Sequence, residues 1–304
     1  MLTALVGIWL IGIPSLSTSA SSDGIITVCP AGPPECDYQT IQEAINAAGT
    51  GDTVLVYPGT YAGQVTLKTN VSLESSDGPE VTTITATEGP IVTASDVVSA
   101  AVQGFSISGQ DIITATVGIE LLDSELTLSD CIIRDLRGAD GQGAEPDGED
   151  AIAVRSTGFG TLTIMDSTIQ DITGGDGLGV DGGSTGGDAI GIWADGGGEA
   201  IITRMIIRRL TGGAAGTYAY WPYGCLGAGG QAMGICTGGG VDLVVSSSEL
   251  TELVGGQPCS ALAEYCVYRA GAAIGIQATG GMVFVRDSLF TSFSSRAAHY
   301  SEPD

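Results

Sequence analysis

Residues 38–61 read Tyr38-Gln-Thr-Ile-Gln-Glu-Ala-Ile-Asn-Ala-Ala-Gly-Thr-Gly-Asp-Thr-Val-Leu-Val-Tyr-Pro-Gly-Thr-Tyr61. Thr40 and Glu43 form a capping box, in which each side chain satisfies a backbone N–H at a helix start. Ile41, Ala44, Ile45 and Ala48 then recur at i, i+3, i+4 and i+7, one apolar stripe on a short helix. Gly49 to Gly51 stops it. Thr53 to Tyr57 reads as a strand, and Pro58-Gly59 as the turn that ends it. A helix this short needs a partner for its apolar stripe. The open end of a stack of strands needs a cover for its bare edge and exposed core.

The stack itself is written downstream as five copies of one pattern. The copies begin near Val117, Ile152, Ile190, Met233 and Ile274, at spacings of 35, 38, 43 and 41 residues. A second apolar column runs through Leu128, Ile164, Ile202, Val245 and Val285. A third holds Ile133, Ile169, Ile207, Leu250 and Phe290, and a fourth Leu136, Ile172, Leu210, Leu253 and Phe293. Stacked about 4.8 Å apart, each column becomes an aliphatic ladder inside a tube. Weaker coils fill residues 65–115, with Val65, Leu67, Val71, Leu73, Val102, Phe105 and Ile107. Before the third column stands a polar position occupied by Asp130, Asp166, Arg204, Ser247 and Asp287, which suits tight turns.

Together the cap and the repeats resemble the pectin-lyase-like β-helix proteins, where an amphipathic helix covers the first coil and a Pro-Gly-Thr-Tyr-type turn starts the solenoid. The resemblance implies an all-β fold, a right-handed parallel β-helix with an N-terminal capping helix. It divides the chain into a signal peptide (1–20), a cap (21–64) and coils with glycine-rich loops on one edge (65–304). The family includes lyases, hydrolases and esterases of acidic polysaccharides, so the resemblance names what to seek. The sought sets are an aspartate cluster for calcium with an arginine base, paired aspartates with histidine and lysine motifs, or two aspartates with an arginine. Gly-His-Gly and Arg-Ile-Lys elements are absent, the one histidine is His299 in the tail, and the one lysine is Lys68.

Composition agrees with a solenoid rather than a conventional core: aromatics make up 6% of residues, while glycine reaches 48. The 35 acidic against 10 basic residues give a net charge of −25, which excludes nucleic acid and anionic lipid as partners. Leu2 to Leu16 are mostly apolar and Thr18-Ser19-Ala20 offers a cleavage point, so the protein is expected to be secreted or held at the cell surface. After cleavage no stretch is long enough to span a membrane. Seven cysteines fit export. Cys29 with Cys36, Cys225 with Cys236, and Cys259 with Cys266 are the expected disulfides, leaving Cys131 as a buried thiol. Asn70-Val71-Ser72 is a formal glycosylation sequon.

Length varies in one place per repeat, at residues 137–150, 173–188, 211–231 and 254–272, so these loops share one side of the solenoid. They carry Asp140, Asp147, Asp150, Asp176, Asp181 and Asp188 next to glycines, and are expected to be flexible and solvated. No cofactor is called for. Residues 174–181, with Asp176 and Asp181, resemble a calcium nonapeptide, so Ca2+ is the candidate metal. Tyr218, Tyr220, Trp221 and Tyr223 cluster in the third loop as candidate ligand-binding aromatics, suited to sugar rings and protein surfaces alike. One further column, Asp135, Asp171, Arg209 and Glu252, precedes the fourth apolar position. It sets carboxylates on adjacent coils with an arginine between, the makings of an acid/base pair.

Two functions compete on these residues. Missing catalytic motifs favour a noncatalytic extracellular surface, adhesive or matrix protein that presents loops and self-assembles through an uncapped C-terminal coil. The alternative is a polysaccharide-degrading enzyme (lyase, hydrolase or esterase on acidic glycans) that uses the Asp135/Asp171/Arg209/Glu252 column.

Overall fold

The computed structural model describes residues 24–86, 89–109, 117–179, 183–216, 227–258 and 270–295. Within them the chain winds as a solenoid whose coils each contribute one strand to three parallel sheets. Sheet A has nine strands, from Ile25–Val28 to Val283–Arg286. Sheet B has eight, from Gly59–Ala62 to Leu289–Ser295, and sheet C seven, from Val65–Thr66 to Ala273–Ala278. A full coil visits C, A and B in turn, as Ala151–Thr157, Thr161–Met165 and Thr168–Thr173 do. The segment 1–20 lies outside the described residues.

The helix Ile41–Ala47 forms where the stripe predicts it, with Ile41, Ala44 and Ile45 buried against the first coil. Thr40 is the N-cap: its Oγ1 accepts the Glu43 N–H at 3.3 Å and donates to Glu43 Oε2 at 2.8 Å. Lys68 donates to the Ala48 carbonyl at the other end, 2.5 Å away. Ile25–Val28 adds a strand ahead of the expected first one, pairing with Thr53–Val56. A disulfide joins Cys29 to Cys36 beside it.

All four apolar columns align in the observed register. Ile164, Ile202 and Val245 are fully buried in consecutive coils of sheet A. Truncating Ile202 to alanine removes three carbons between two packed neighbours. The expected cost is about 3 kcal/mol, read from urea unfolding; a loss below about 1 kcal/mol would mean the column is not packed as described. The polar column turns the corner from A to B: Asp130, Asp166, Arg204, Ser247 and Asp287 all sit at φ 50–51°. The next residue inward forms a ladder that sequence reading missed. Ser167 Oγ accepts the Cys131 N–H and Ser248 Oγ the Met205 N–H, both at 3.1 Å. Cys131 is buried as expected, and burial pushes its thiol up to about 12.

The loops correct the expectation of flexibility. Their described parts bond to one another across coils as a second, glycine-built layer. A relay of backbone hydrogen bonds passes from Glu149 N–H to Ala139, then Gly175 to Glu149, Gly187 to Gly175, Gly213 to Gly187, Gly230 to Gly213, Gly256 to Gly230 and Gly271 to Gly256, at 2.8–3.1 Å. A Cβ on Gly213 would overlap the Gly175 carbonyl oxygen, and one on Gly230 that of Gly187. Only a residue without a side chain allows this approach, as at a collagen axis. The aspartates brace the layer. Asp140 Oδ1 accepts the Asp176 N–H (2.9 Å), Asp176 Oδ1 the Ala214 N–H (2.7 Å), and Asp147 Oδ1 the Thr185 N–H (2.6 Å). Asp150 and Asp188 do the same for Asp188 N–H (2.7 Å) and Gln231 N–H (2.6 Å).

The first apolar column corrects the expectation that every column lies inside the tube. Val117, Ile152, Ile190 and Met233 begin the strands of sheet C and pack outside the main core, yet they are at most 6% exposed. Gly118, one residue on, faces Ile133 and Leu136 inside the tube.

Candidate active site

On sheet B, the ladder pairs Arg134 with Gln170 with Arg208 with Thr251, then resumes at Leu136, Ile172, Leu210 and Leu253. The residue between is skipped in each strand and forms a bulge. Asp135 and Asp171 lie there at φ 58°, Arg209 at 54° and Glu252 at 55°. Aspartate tolerates the left-handed region, but arginine and glutamate are disfavoured there by roughly 1–2 kcal/mol. The bulge re-aims these side chains out of the sheet at successive coils, about 4.8 Å apart. The sequence column is therefore one contiguous surface row.

Arg209 grips Asp171 with a two-pronged contact: Nε donates to Oδ1 at 2.6 Å and Nη2 to Oδ2 at 2.8 Å. Both side chains are more than a third exposed, at 39% and 36%. The fork holds the Asp171 carboxyl below the usual carboxylate range, with smaller help from the Arg209, Arg208 and Arg134 charges. Asp171 reciprocally pushes the Arg209 guanidinium up, with Glu252 and Asp135 adding their charges. On the preceding coil Asp135 Oδ2 accepts from Ser108 Oγ at 3.4 Å and lies 3.4 Å from Arg134 Nη1. Arg134 is fixed by its Nε–H to Ser106 Oγ (2.9 Å), and Arg208 by Nε and Nη2 to Gln170 Oε1 (3.1 and 2.8 Å).

Three of the ten basic residues of a chain carrying −25 therefore gather around two carboxylates. Sequence reading found the Asp135/Asp171/Arg209/Glu252 row and missed Arg134, Gln170 and Arg208. Their signal was present: each is the outward residue directly before the row, between the third and fourth apolar columns. The other candidates are not brought here. Tyr218, Tyr220, Trp221, Tyr223, Asp181, His299, Cys225, Cys259 and Cys266 lie outside the described residues. Asp176 Oδ1 is engaged by Ala214, and its Oδ2 lies 3.6 Å from Arg137. No group of three or more potential metal ligands occurs among the described residues. Cys236, expected in a disulfide, carries a half-buried free thiol in the structure.

No family model and no curated protein matches this sequence. Solved structures do resemble it. The pectin methylesterase of Aspergillus niger is 16% identical with a TM-score of 0.41, covering 86% of this chain and 87% of that one. The pectin methylesterase PemA of Erwinia chrysanthemi is 11% identical with a TM-score of 0.41, covering 88% and 92%. A variant of the PL6 family alginate lyase AlyGC is 10% identical with a TM-score of 0.45, covering 94% of this chain and 42% of that one. The three parallel sheets make the fold a right-handed parallel β-helix. The likeness is one of architecture. The missing motifs led to the expectation of a noncatalytic scaffold and filament, whereas the similar structures named here are enzymes. Gly-His-Gly and Arg-Ile-Lys elements are not the sole way to place acid, base and arginine on a solenoid face. A row of one residue per coil does so without any local motif.

Proposed function

We propose that this β-helix is a polysaccharide-degrading enzyme acting on acidic glycans, with its chemistry on the outer face of sheet B. The observation that carries the reading is the Asp171–Arg209 fork with Asp135 one coil away. Arg209 keeps Asp171 ionised and oriented, which suits a nucleophile or a leaving carboxylate. Asp135, held more loosely by Ser108 and Arg134, is placed to pass the proton. Adjacent-coil spacing is nearer the roughly 5–5.5 Å of carboxylate pairs that work by direct attack than the roughly 6.5–9.5 Å that leaves room for a water. The step this geometry supports is glycosidic hydrolysis: Asp171 attacks the anomeric carbon as Asp135 gives its proton to the departing sugar oxygen, and water, deprotonated by Asp135, then cleaves the glycosyl–Asp171 ester. Arg134 and Arg208 give a negatively charged chain a place to settle on a molecule whose net charge of −25 otherwise repels it. The Cys29–Cys36 disulfide supports work in an oxidising, extracytoplasmic compartment.

The test is product release from polygalacturonate, methyl-esterified pectin and alginate, following reducing ends, methanol and unsaturated termini. Hydrolytic product from one of them is expected, falling at least about 100-fold in Asp135→Asn. Silence on all three, or an unaffected Asp135→Asn protein, would end the reading.

A further inference from the structure

The bulge row on sheet B continues past the fork. Asp171, Arg209 and Glu252 occupy consecutive coils, so the arginine has an acidic residue one coil away on each side, about 4.8 Å along the axis. In the structure it takes the Asp171 side, with contacts of 2.6 and 2.8 Å. Glu252 is exposed, and its carboxylate makes no hydrogen bond or ion pair among the described residues. After the Asp171 hydrogen bond and charge, the Glu252 charge is the next to push the Arg209 guanidinium up. Glutamate is disfavoured in the left-handed region where Glu252 sits, at φ 55°, yet it reaches one methylene further than the aspartates of the row.

The corner row between sheets A and B shows the same fork without a second acceptor. Arg204 grips Asp166 through Nε to Oδ1 and Nη2 to Oδ2, both at 2.6 Å. The coil after it offers Ser247, which carries no charge. Of the two forks, a carboxylate stands beyond the arginine at the one that carries the proposed chemistry.

We propose that Glu252 is a positioning residue, a second seat that the Arg209 guanidinium takes when Asp171 loses its charge. This role rests on the hydrolytic reading of the row. When Asp171 attacks the anomeric carbon, its oxygen forms the ester bond, the glycosidic C–O bond breaks, and the Asp135 proton goes to the departing sugar oxygen. The ester is neutral, so Arg209 is left as a cation against an uncharged acyl group. Glu252 is then the nearest carboxylate of the row, and turning to it keeps the charge matched in the covalent intermediate. Once water, deprotonated by Asp135, has cleaved the ester, the restored Asp171 carboxylate draws Arg209 back.

A crystal structure of Asp171→Asn tests the seat without reference to activity, because the amide keeps the shape of the acyl group and removes its charge. The Arg209 guanidinium is expected within about 3 Å of the Glu252 carboxylate. In turnover, Glu252→Gln is expected to lower kcat about tenfold with KM within about twofold of wild type, and Glu252→Asp to recover most of the loss. The role is overturned if Arg209 stays on the amide at position 171 with Glu252 unpaired. It is overturned equally if Glu252→Gln turns over as wild type does, or if Glu252→Asp is as slow as Glu252→Gln. An Asp171→Asn protein with wild-type activity overturns the hydrolytic reading, and the positioning role with it, even where Arg209 has turned to Glu252.

Discussion

Gly213→Ala is expected to destabilise the protein by about 3 kcal/mol, at the upper end of what overpacking costs. The methyl group has no place to go: it would overlap the Gly175 carbonyl oxygen, which is backbone and cannot rotate aside. Relief requires one extended loop to move away from the next. That motion breaks the Gly213 N–H bond to Gly187 and the Gly230 N–H bond to Gly213. In thermal unfolding this corresponds to a fall of roughly 6–12 °C. Gly240→Ala is the control. A Cβ there meets nothing within 4 Å, and the backbone at φ +88° alone should cost about 1 kcal/mol. Equal effects at the two sites would show that the loops are not packed as a layer.

Arg209→Ala should lower product release on the order of 10²–10³-fold, because it removes the fork that orients and charges Asp171. Its second signature is pH. In the wild type Asp171 sits below the usual carboxylate range, chiefly through the Arg209 hydrogen bonds. Without them its pKa rises toward the ordinary value near 3.9, so the acid limb of the activity profile moves to higher pH. The stability sign is that of a depressed carboxyl. The pair's contribution is present above the unfolded-state pKa and is lost as pH falls through the lower folded-state one. Because both groups are more than a third exposed, that contribution stays within about 1 kcal/mol. Arg209→Lys restores a charge but not the fork, so it should recover the acid limb better than the rate. A loss of rate with no shift of the limb would indicate damage to the sheet rather than to Asp171.

The architecture was legible in sequence because each of its causes is local or periodic. Thr40 and Glu43 cap their helix through their own side chains. Three of the apolar columns fall into register because each repeat must refill the same cross-section. The Asp135/Asp171/Arg209/Glu252 row was legible for the same reason, one residue at one phase of every repeat. The loops were not. Asp-Gly runs look identical whether a segment is solvated or packed, and the close approach of Gly213 to Gly175 exists only once coils are stacked. Arg155 and Trp193 were hidden likewise: 38 residues separate them, and stacking alone brings them together. The expectation of a noncatalytic scaffold rested on absent motifs; the proposed activity rests instead on how few arginines the chain has and on the three that gather on sheet B.

The most direct test is the rate of product release by Asp171→Asn from the acidic polysaccharide that the wild-type protein cleaves. The substitution keeps the shape of the side chain and removes its charge in one row of an otherwise intact sheet. The account predicts a loss of at least about 10³-fold with the unfolding temperature nearly unchanged. A rate within tenfold of wild type would contradict it and move the chemistry off sheet B.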